Sequence, residues 1–282
     1  MSIKDTVTLA SGKWEAEISA RLGANVTALR YDGRDVLVPL LDEEQLAKNP
    51  YIQGSPILLP ANRTYLGKFS FEGRDYQLPV NEPRTDSHLH GLVHRQAFQT
   101  LALDEKSVTM RYSNRGDCYP FDFDITAAYT LTDEGLEQKF IVENTGSGNM
   151  PYVFCLHTTF VEPEVFTLPI SARQENDKKD IPTGRIIPLS EQEARYVTGS
   201  PSRGIYVVGY FESAGNSATV GDFSYTVSEN FDHWILYNAR GEFGYICIEP
   251  QHGKVNGLNI EGGCPILAPG ESAVYTTRFG RK

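Results

Sequence analysis

The sequence predicts an all-β protein, a large antiparallel β-sandwich with few short helices. Three observations lead there. First, apolar and polar residues alternate with the two-residue period of a half-buried strand. This is clearest in 121–131, where Phe121, Phe123, Ile125, Ala127, Tyr129 and Leu131 share one face and Asp122, Asp124, Thr126 and Thr130 the other. Second, no ten-residue apolar stripe of helical period occurs. Third, turn-forming clusters separate the strands without any strand–helix–strand rhythm, which leaves antiparallel sheets packed face to face.

In chain order, Trp14 to Ser19 alternates as a strand. Asp42 to Lys48 reads as a short helix, with Asp42 and Gln45 at capping-box spacing. Residues 67–78 read as a hairpin turning near Gly73. The strand 121–131 is followed by a turn at Asp133-Glu134-Gly135 and a strand to Glu143, then a turn over Asn144 to Asn149. Val153 to Phe160 reads as one apolar strand, and Glu175 to Thr183 as a charged surface loop. Ser190 and Glu193 give capping-box spacing to a helix reaching Tyr196. Strands follow at 204–211, 234–238, 243–249 and 273–279. No linker or repeat interrupts the chain, so 1–282 is expected to form a single domain.

The formal net charge is −10 and no basic run occurs, which argues against nucleic acid and anionic membranes as partners. No segment approaches the ~20 apolar residues of a membrane span, and Met1 to Thr6 holds no apolar leader. Cys118, Cys155, Cys247 and Cys264 are widely spaced with no CxxC pair, which points to a reduced, cytoplasmic protein without a zinc site.

The stretch Tyr245 to His252 reads as a central strand whose two faces are both apolar. Pro250 cannot donate to a sheet ladder, so the strand is expected to end there and leave Glu249 at the mouth of a core. A carboxylate withdrawn from water has a raised pKa and can accept a proton near neutrality. The alternative is a strand-end Glu pointing into solvent. His157 shares a face with Val153 and Cys155 in an otherwise apolar strand. It reads either as a core histidine held by a carbonyl or as a general acid. His88, His90 and His94 lack a companion Cys or carboxylate at ligand spacing, so a hydrogen-bonding role in a pocket is favoured over a metal. Asn62-Arg63 follows the buried run Pro56 to Ala61, which suggests a buried ion pair or a fork aimed at a ligand oxygen. Nucleophile elbows, phosphate loops and HExxH are absent.

Several of these segments, taken in order, resemble the aldose 1-epimerase (galactose mutarotase) family. They are Pro60-Ala61-Asn62-Arg63, Gly67-Lys68-Phe69, the Gly73 hairpin, Asn81, and His90-Gly91. Then come Pro151 to Phe154 leading to His157, and Ile181-Pro182-Thr183-Gly184. The closing pieces are Cys247 to Gln251, Asn256 to Asn259 and Leu267 to Ser272. The resemblance covers residues 15–279. It implies a galactose mutarotase-like supersandwich with a sugar bound across one sheet, and no cofactor or metal. Glu249 would be the base on the anomeric hydroxyl, His157 the acid on the ring oxygen, and Arg63, His90 and Asn62 would hold the sugar.

The family also carries a sugar-holding Asp before the catalytic Glu. Asp232 is the nearest candidate, or else a turn residue, and Trp234 beside it is a candidate for stacking on the sugar. The chain is expected to act as a monomer or homodimer on a small sugar. The alternatives are a hexose-6-phosphate 1-epimerase, with Arg84, Arg95 and Lys68 as phosphate cations, and a non-catalytic carbohydrate-binding protein on the same fold. A β-sandwich glycoside hydrolase needs a second placed carboxylate, and only one is evident.

Overall fold

A computed structural model describes residues 6–282. Met1 to Asp5, where the absence of a leader was read, lie outside the described residues. Two eight-stranded antiparallel sheets dominate. One runs in the order Gln99–Leu103, Ser107–Arg115, Asp122–Thr132, Gly135–Asn144, Ser272–Arg281, Phe223–Val227, Ser217–Val220, Phe166–Thr167. The other runs Pro182–Ile187, Ile170–Asn176, Val208–Ser213, His233–Tyr237, Tyr245–His252, Phe154–Leu156, Ile57–Leu58, with Thr159–Val161 also pairing to Tyr245–His252. A four-stranded sheet from Thr6 to Asp35 completes the main frame.

The period-two reading of 121–131 holds in the structure. Phe123, Ile125, Ala127, Tyr129 and Leu131 are buried, and their sheet packs its apolar side on the second sheet. Asp124 departs from the pattern because Arg111 and Arg115 both pair with it, so its charge is met inside the rim of the sheet. Aromatic rings bridge the two sheets: Phe154 stacks on Tyr275 at 4.3 Å, and Phe160 and Trp234 both pack edge-on against Tyr225. One hydrophobic cluster takes in residues from Leu9 to Phe279.

Both predicted helices form, at Glu43–Lys48 under Asp42 and at Glu191–Thr198 under a complete Ser190/Glu193 capping box. The Gly73 hairpin pairs Lys68–Phe71 with Arg74–Gln77. Glu175 to Thr183 is not a free surface loop. It is the tip of the hairpin between Ile170–Asn176 and Pro182–Ile187, and Lys179 at that tip pairs with Asp86 at 2.6 Å. Among the described residues no helix is long and apolar enough to cross a membrane.

Candidate active site

Glu249 lies mid-strand in Tyr245–His252, at the middle of its sheet, and is 2 % exposed. The strand does not end at Pro250 but continues through it to His252. The reason lies in the neighbouring chain. Val153 to Phe160 is not one strand but two, Phe154–Leu156 and Thr159–Val161, both paired to Tyr245–His252 in one unbroken register. Ile248 donates to the Thr158 carbonyl at 2.9 Å, so the position two residues on would donate to Leu156. Pro250 has no N–H to give. The Leu156 carbonyl accepts from Thr158 N–H instead, at 2.9 Å, and the chain turns tightly around His157. The missing donor and the local turn answer one another, which is why a proline is tolerated in a central strand here.

The same register, carried from Cys155 opposite Gln251 to Thr159 opposite Cys247, sets His157 across from Glu249. That is a non-hydrogen-bonded pair, the kind in which side chains approach most closely. His157 Nε2 lies 3.4 Å from Glu249 Oε1. Both groups are buried, and neither contact is made by a surface side chain that water could separate.

Arg63, the first residue of the strand Arg63–Tyr65, and His90, just past the strand Ser87–Leu89, reach the pair. Asn62 and His90 both adopt left-handed backbone, at φ 55° and 63°, and the Asn62 carbonyl accepts from His90 N–H at 2.9 Å. Asn and His tolerate that region better than most side chains. Gly91 follows at φ 61°, where an added Cβ would meet the Leu59 carbonyl at 2.0 Å, so the His90-Gly91 step requires glycine. Arg63 Nη1 donates to the Tyr210 hydroxyl at 2.6 Å, and its Nη2 lies 3.5 Å from Asp180 at the hairpin tip. Asp180 also takes Arg84 at 2.7 Å. Tyr51 forms a wall, its ring centroid 4.6 Å from that of His90, 5.0 Å from His94 and 6.0 Å from His157.

Burial sets the protonation of the pair. It pushes the Glu249 carboxyl up to about 8, against the opposing pull of Arg63, and the His157 imidazole down to about 4. Burial likewise holds His90 well below the usual histidine range, so it is neutral. Arg63 Nε, His90 Nδ1, His157 Nδ1 and Gln251 Oε1 are buried polar atoms without a hydrogen-bond partner. Such atoms are costly in a folded protein, and a cluster of them around two titratable groups marks where a polar ligand would be received. Two cavities of about 550 and 410 Å³ lie elsewhere, beside Phe71 and the 257–264 turn. Neither is lined by His157, Glu249, Arg63 or His90.

Of the residues picked out by sequence, the structure gathers Glu249, His157, Arg63, His90 and Asn62. Trp234 is not a stacking platform: it is fully buried between the sheets, packs against Tyr225, and donates Nε1–H to the Gly215 carbonyl at 3.2 Å. The strand pairing puts Ile235, not Trp234, on the face beside Glu249. Asp232 is held by its neighbours, contacting His233 Nδ1 at 2.6 Å and accepting from Gly253 N–H at 2.9 Å. Its carboxylate and Glu212 hold His233 up at about 9, although burial alone would lower it. His88 gives Nδ1 to the Pro79 carbonyl. Tyr210, Tyr51 and Asp180 carried no sequence signal, because each reaches the site from a segment distant in the chain.

A sequence-family model for aldose 1-epimerases matches residues 5–280. The uncharacterized protein YihR of Escherichia coli (strain K12) is 29% identical over 187 residues, 63% of this chain and 59% of its own. The galactose mutarotase of Rattus norvegicus is 28% identical over 186 residues, 59% of this chain and 53% of its own. The matched part thus spans between half and three-fifths of these two relatives. Among solved structures, a galactose mutarotase-like protein from Clostridium acetobutylicum superposes with a TM-score of 0.89 at 21% identity, covering 98% of this chain and 95% of the other. A galactose 1-epimerase from Lactobacillus acidophilus gives 0.80 at 16%, covering 98% and 94%. These likenesses show a shared galactose mutarotase-type β-sandwich. With a family match that takes in almost every residue and a buried acid–base pair at the middle of the expected sheet, the chain belongs to the aldose 1-epimerase family.

Proposed function

We propose that this protein interconverts the α and β anomers of a free aldose by general acid–base catalysis. The observation that carries the reading is the buried His157–Glu249 pair, 3.4 Å apart and surrounded by unpartnered polar atoms. Anomerisation requires a proton to leave the anomeric hydroxyl while another reaches the ring oxygen. With Glu249 raised and His157 lowered, the pair holds its one proton on the carboxyl. A neutral imidazole with a carboxylic acid and an imidazolium with a carboxylate contain the same number of protons. Sugar hydroxyls and Arg63 restore polarity around the carboxylate and favour the second form. Glu249 then accepts the O1 proton and His157 gives one to the ring oxygen. The ring opens to the aldehyde, the C1–C2 bond turns, and the ring recloses on the other face. Arg63, His90 and Asn62 hold hydroxyl oxygens through the sequence. No nucleophile or redox step is needed.

A free sugar suits the site better than a phosphorylated one. Of the candidate phosphate cations, Arg84 is engaged by Asp180 and Glu82, and Arg95 donates to His94. A purely binding protein would gain nothing from burying an acid and a base against each other. The four free cysteines agree with a reducing compartment such as the cytoplasm.

The test is anomerisation of freshly dissolved α-aldoses, followed by polarimetry or NMR exchange. Wild type is expected to beat buffer, with a bell-shaped pH profile belonging to the coupled pair. Glu249→Gln should abolish the acceleration and His157→Asn should reduce it strongly. Sugar binding in calorimetry without acceleration of any aldose would overturn the proposal.

A further inference from the structure

Cys247 lies two residues before Glu249 on the same face of the same strand, and the chemistry above leaves it unused. Its Sγ, a ring nitrogen of His157 and a Glu249 carboxylate oxygen all lie within 4.8 Å of one another, and all three residues are buried. We propose that this trio is an inhibitory site for a borderline-soft divalent cation of the Zn²⁺ type, which binds in place of the sugar.

The donor set supports this. Thiolate, imidazole and carboxylate are the three ligand types zinc takes from proteins, and three protein ligands with one open position is the arrangement of an exchangeable zinc site. Tetrahedral zinc with bonds of about 2.0–2.3 Å sets its ligand atoms roughly 3.3–3.8 Å apart. The His157–Glu249 separation of 3.4 Å already falls in that range. Only the thiol has to close in, by giving up its 3.4 Å contact with Thr159 Oγ1.

Charge also balances. Coordination replaces the thiol proton and the carboxyl proton with one dication, so the buried cluster keeps its net charge and two protons pass to solvent. Hard cations such as Mg²⁺ are disfavoured, because they prefer all-oxygen, octahedral surroundings. The His157 ring has no hydrogen-bond partner on Nδ1 to orient it as a ligand, which favours reversible over permanent binding. Bound metal would occupy the acid and the base together, so inhibition should be complete and competitive with sugar. That consequence rests on the anomerase reading; the binding itself does not.

The experiment separates the two. Co²⁺ is titrated into metal-free protein while thiolate-to-metal charge-transfer absorption is recorded. Wild type should give the band at one equivalent, Zn²⁺ should displace the Co²⁺, and Cys247→Ala should lose the band. Cys247→Ala preserves a small apolar group in the buried position, and its fold is checked by its melting temperature. In the anomerisation assay Zn²⁺ should inhibit wild type competitively, and chelator should reverse it. Cys247→Ala should keep the metal-free rate but need roughly tenfold more Zn²⁺, or beyond, for the same inhibition. No band in wild type, or a band and inhibition unchanged in Cys247→Ala, would overturn the site. A Cys247-dependent band in a protein that anomerises no sugar would leave the site standing and remove the functional reading instead.

Discussion

Replacing Glu249 with Gln should destroy activity, and its effect on stability should change sign with pH, from a loss near pH 5 to a gain near pH 8. The folded-state pKa of Glu249 is raised from 4.5 to about 8 by burial. A raised carboxyl binds its proton more tightly in the folded chain than in the unfolded one. Its folded form is therefore unpenalised below 4.5, and it loses stability as pH climbs from 4.5 to about 8. Each tenfold difference is worth about 1.36 kcal/mol, so the full penalty at pH 8 is ~5 kcal/mol. Gln is a shape-matched mimic of the protonated acid and escapes that penalty. It also brings an amide N–H₂ that must be desolvated and whose donors need partners; the pull of Arg63 is already contained in the value of about 8. Subtracting about 2–3 kcal/mol for these leaves a gain of ~1–3 kcal/mol. At about 2.1 cal/mol/K per residue over 282 residues, this raises Tm by ~2–5 °C. His157 is neutral in both proteins across this window, because burial lowers it to about 4, and its own contribution cancels. Thermal melts of wild type and Glu249→Gln at pH 5 and pH 8 check the reasoning. The variant should be about 1–2 kcal/mol less stable than wild type at pH 5, where the carboxyl costs little, and ~1–3 kcal/mol more stable at pH 8. A variant that is less stable at pH 8, or shifted equally at both pH values, would refute the buried-carboxyl account of the site.

Two further variants probe how the pair is positioned. Tyr210→Phe removes the hydroxyl that receives Arg63 Nη1 at 2.6 Å, so Arg63 is no longer held toward the cleft. A hydrogen bond to a charged group is worth about 1.5–3 kcal/mol, so sugar binding should weaken by roughly 10- to 100-fold, read as a higher KM with a smaller change in kcat. Pro250→Ala restores an N–H aimed at Leu156, which competes with Thr158 for that carbonyl. The strand beside it should straighten and carry His157 away from Glu249. Because misplacement by about 1 Å can cost ~100-fold, kcat/KM should fall sharply, while Tm holds or rises with the completed ladder. Unchanged kcat/KM would sink that argument.

Much of this protein was legible in its sequence because β-structure advertises itself through alternation and capping. The strand 121–131 and both short helices follow from patterns a few residues long, and the structure places them within one or two residues. The buried pair of His157 and Glu249 was legible for a different reason: each is a titratable residue in an apolar strand, an arrangement that costs stability and so draws notice. Tyr210, Tyr51 and Asp180 were not legible. Tyr210 meets Arg63 across 147 positions of chain, and no local pattern encodes such a meeting. Trp234 was misread because a Trp beside an Asp suggests a sugar platform, whereas strand parity puts it on the opposite face from Glu249.

Pro250 is the most instructive case, because the rule applied to it was sound and the conclusion was not. A proline cannot donate to a ladder, and the expected response was that its own strand would stop. The structure makes the neighbouring strand yield instead. Its chain breaks between Leu156 and Thr159, and the orphaned Leu156 carbonyl is satisfied locally by Thr158. The strand bearing Glu249 stays straight and central, which keeps the carboxylate buried and its pKa high. The strand bearing His157 bends at the one residue that must meet it. A regular pairing on both sides of Glu249 would tie the His157 backbone into the sheet. A strand that truly ended at Pro250 would expose Glu249 to water and return its pKa toward an ordinary carboxylate value. The placement of one missing N–H therefore links the sheet's hydrogen bonding to the acid–base chemistry the cleft can perform.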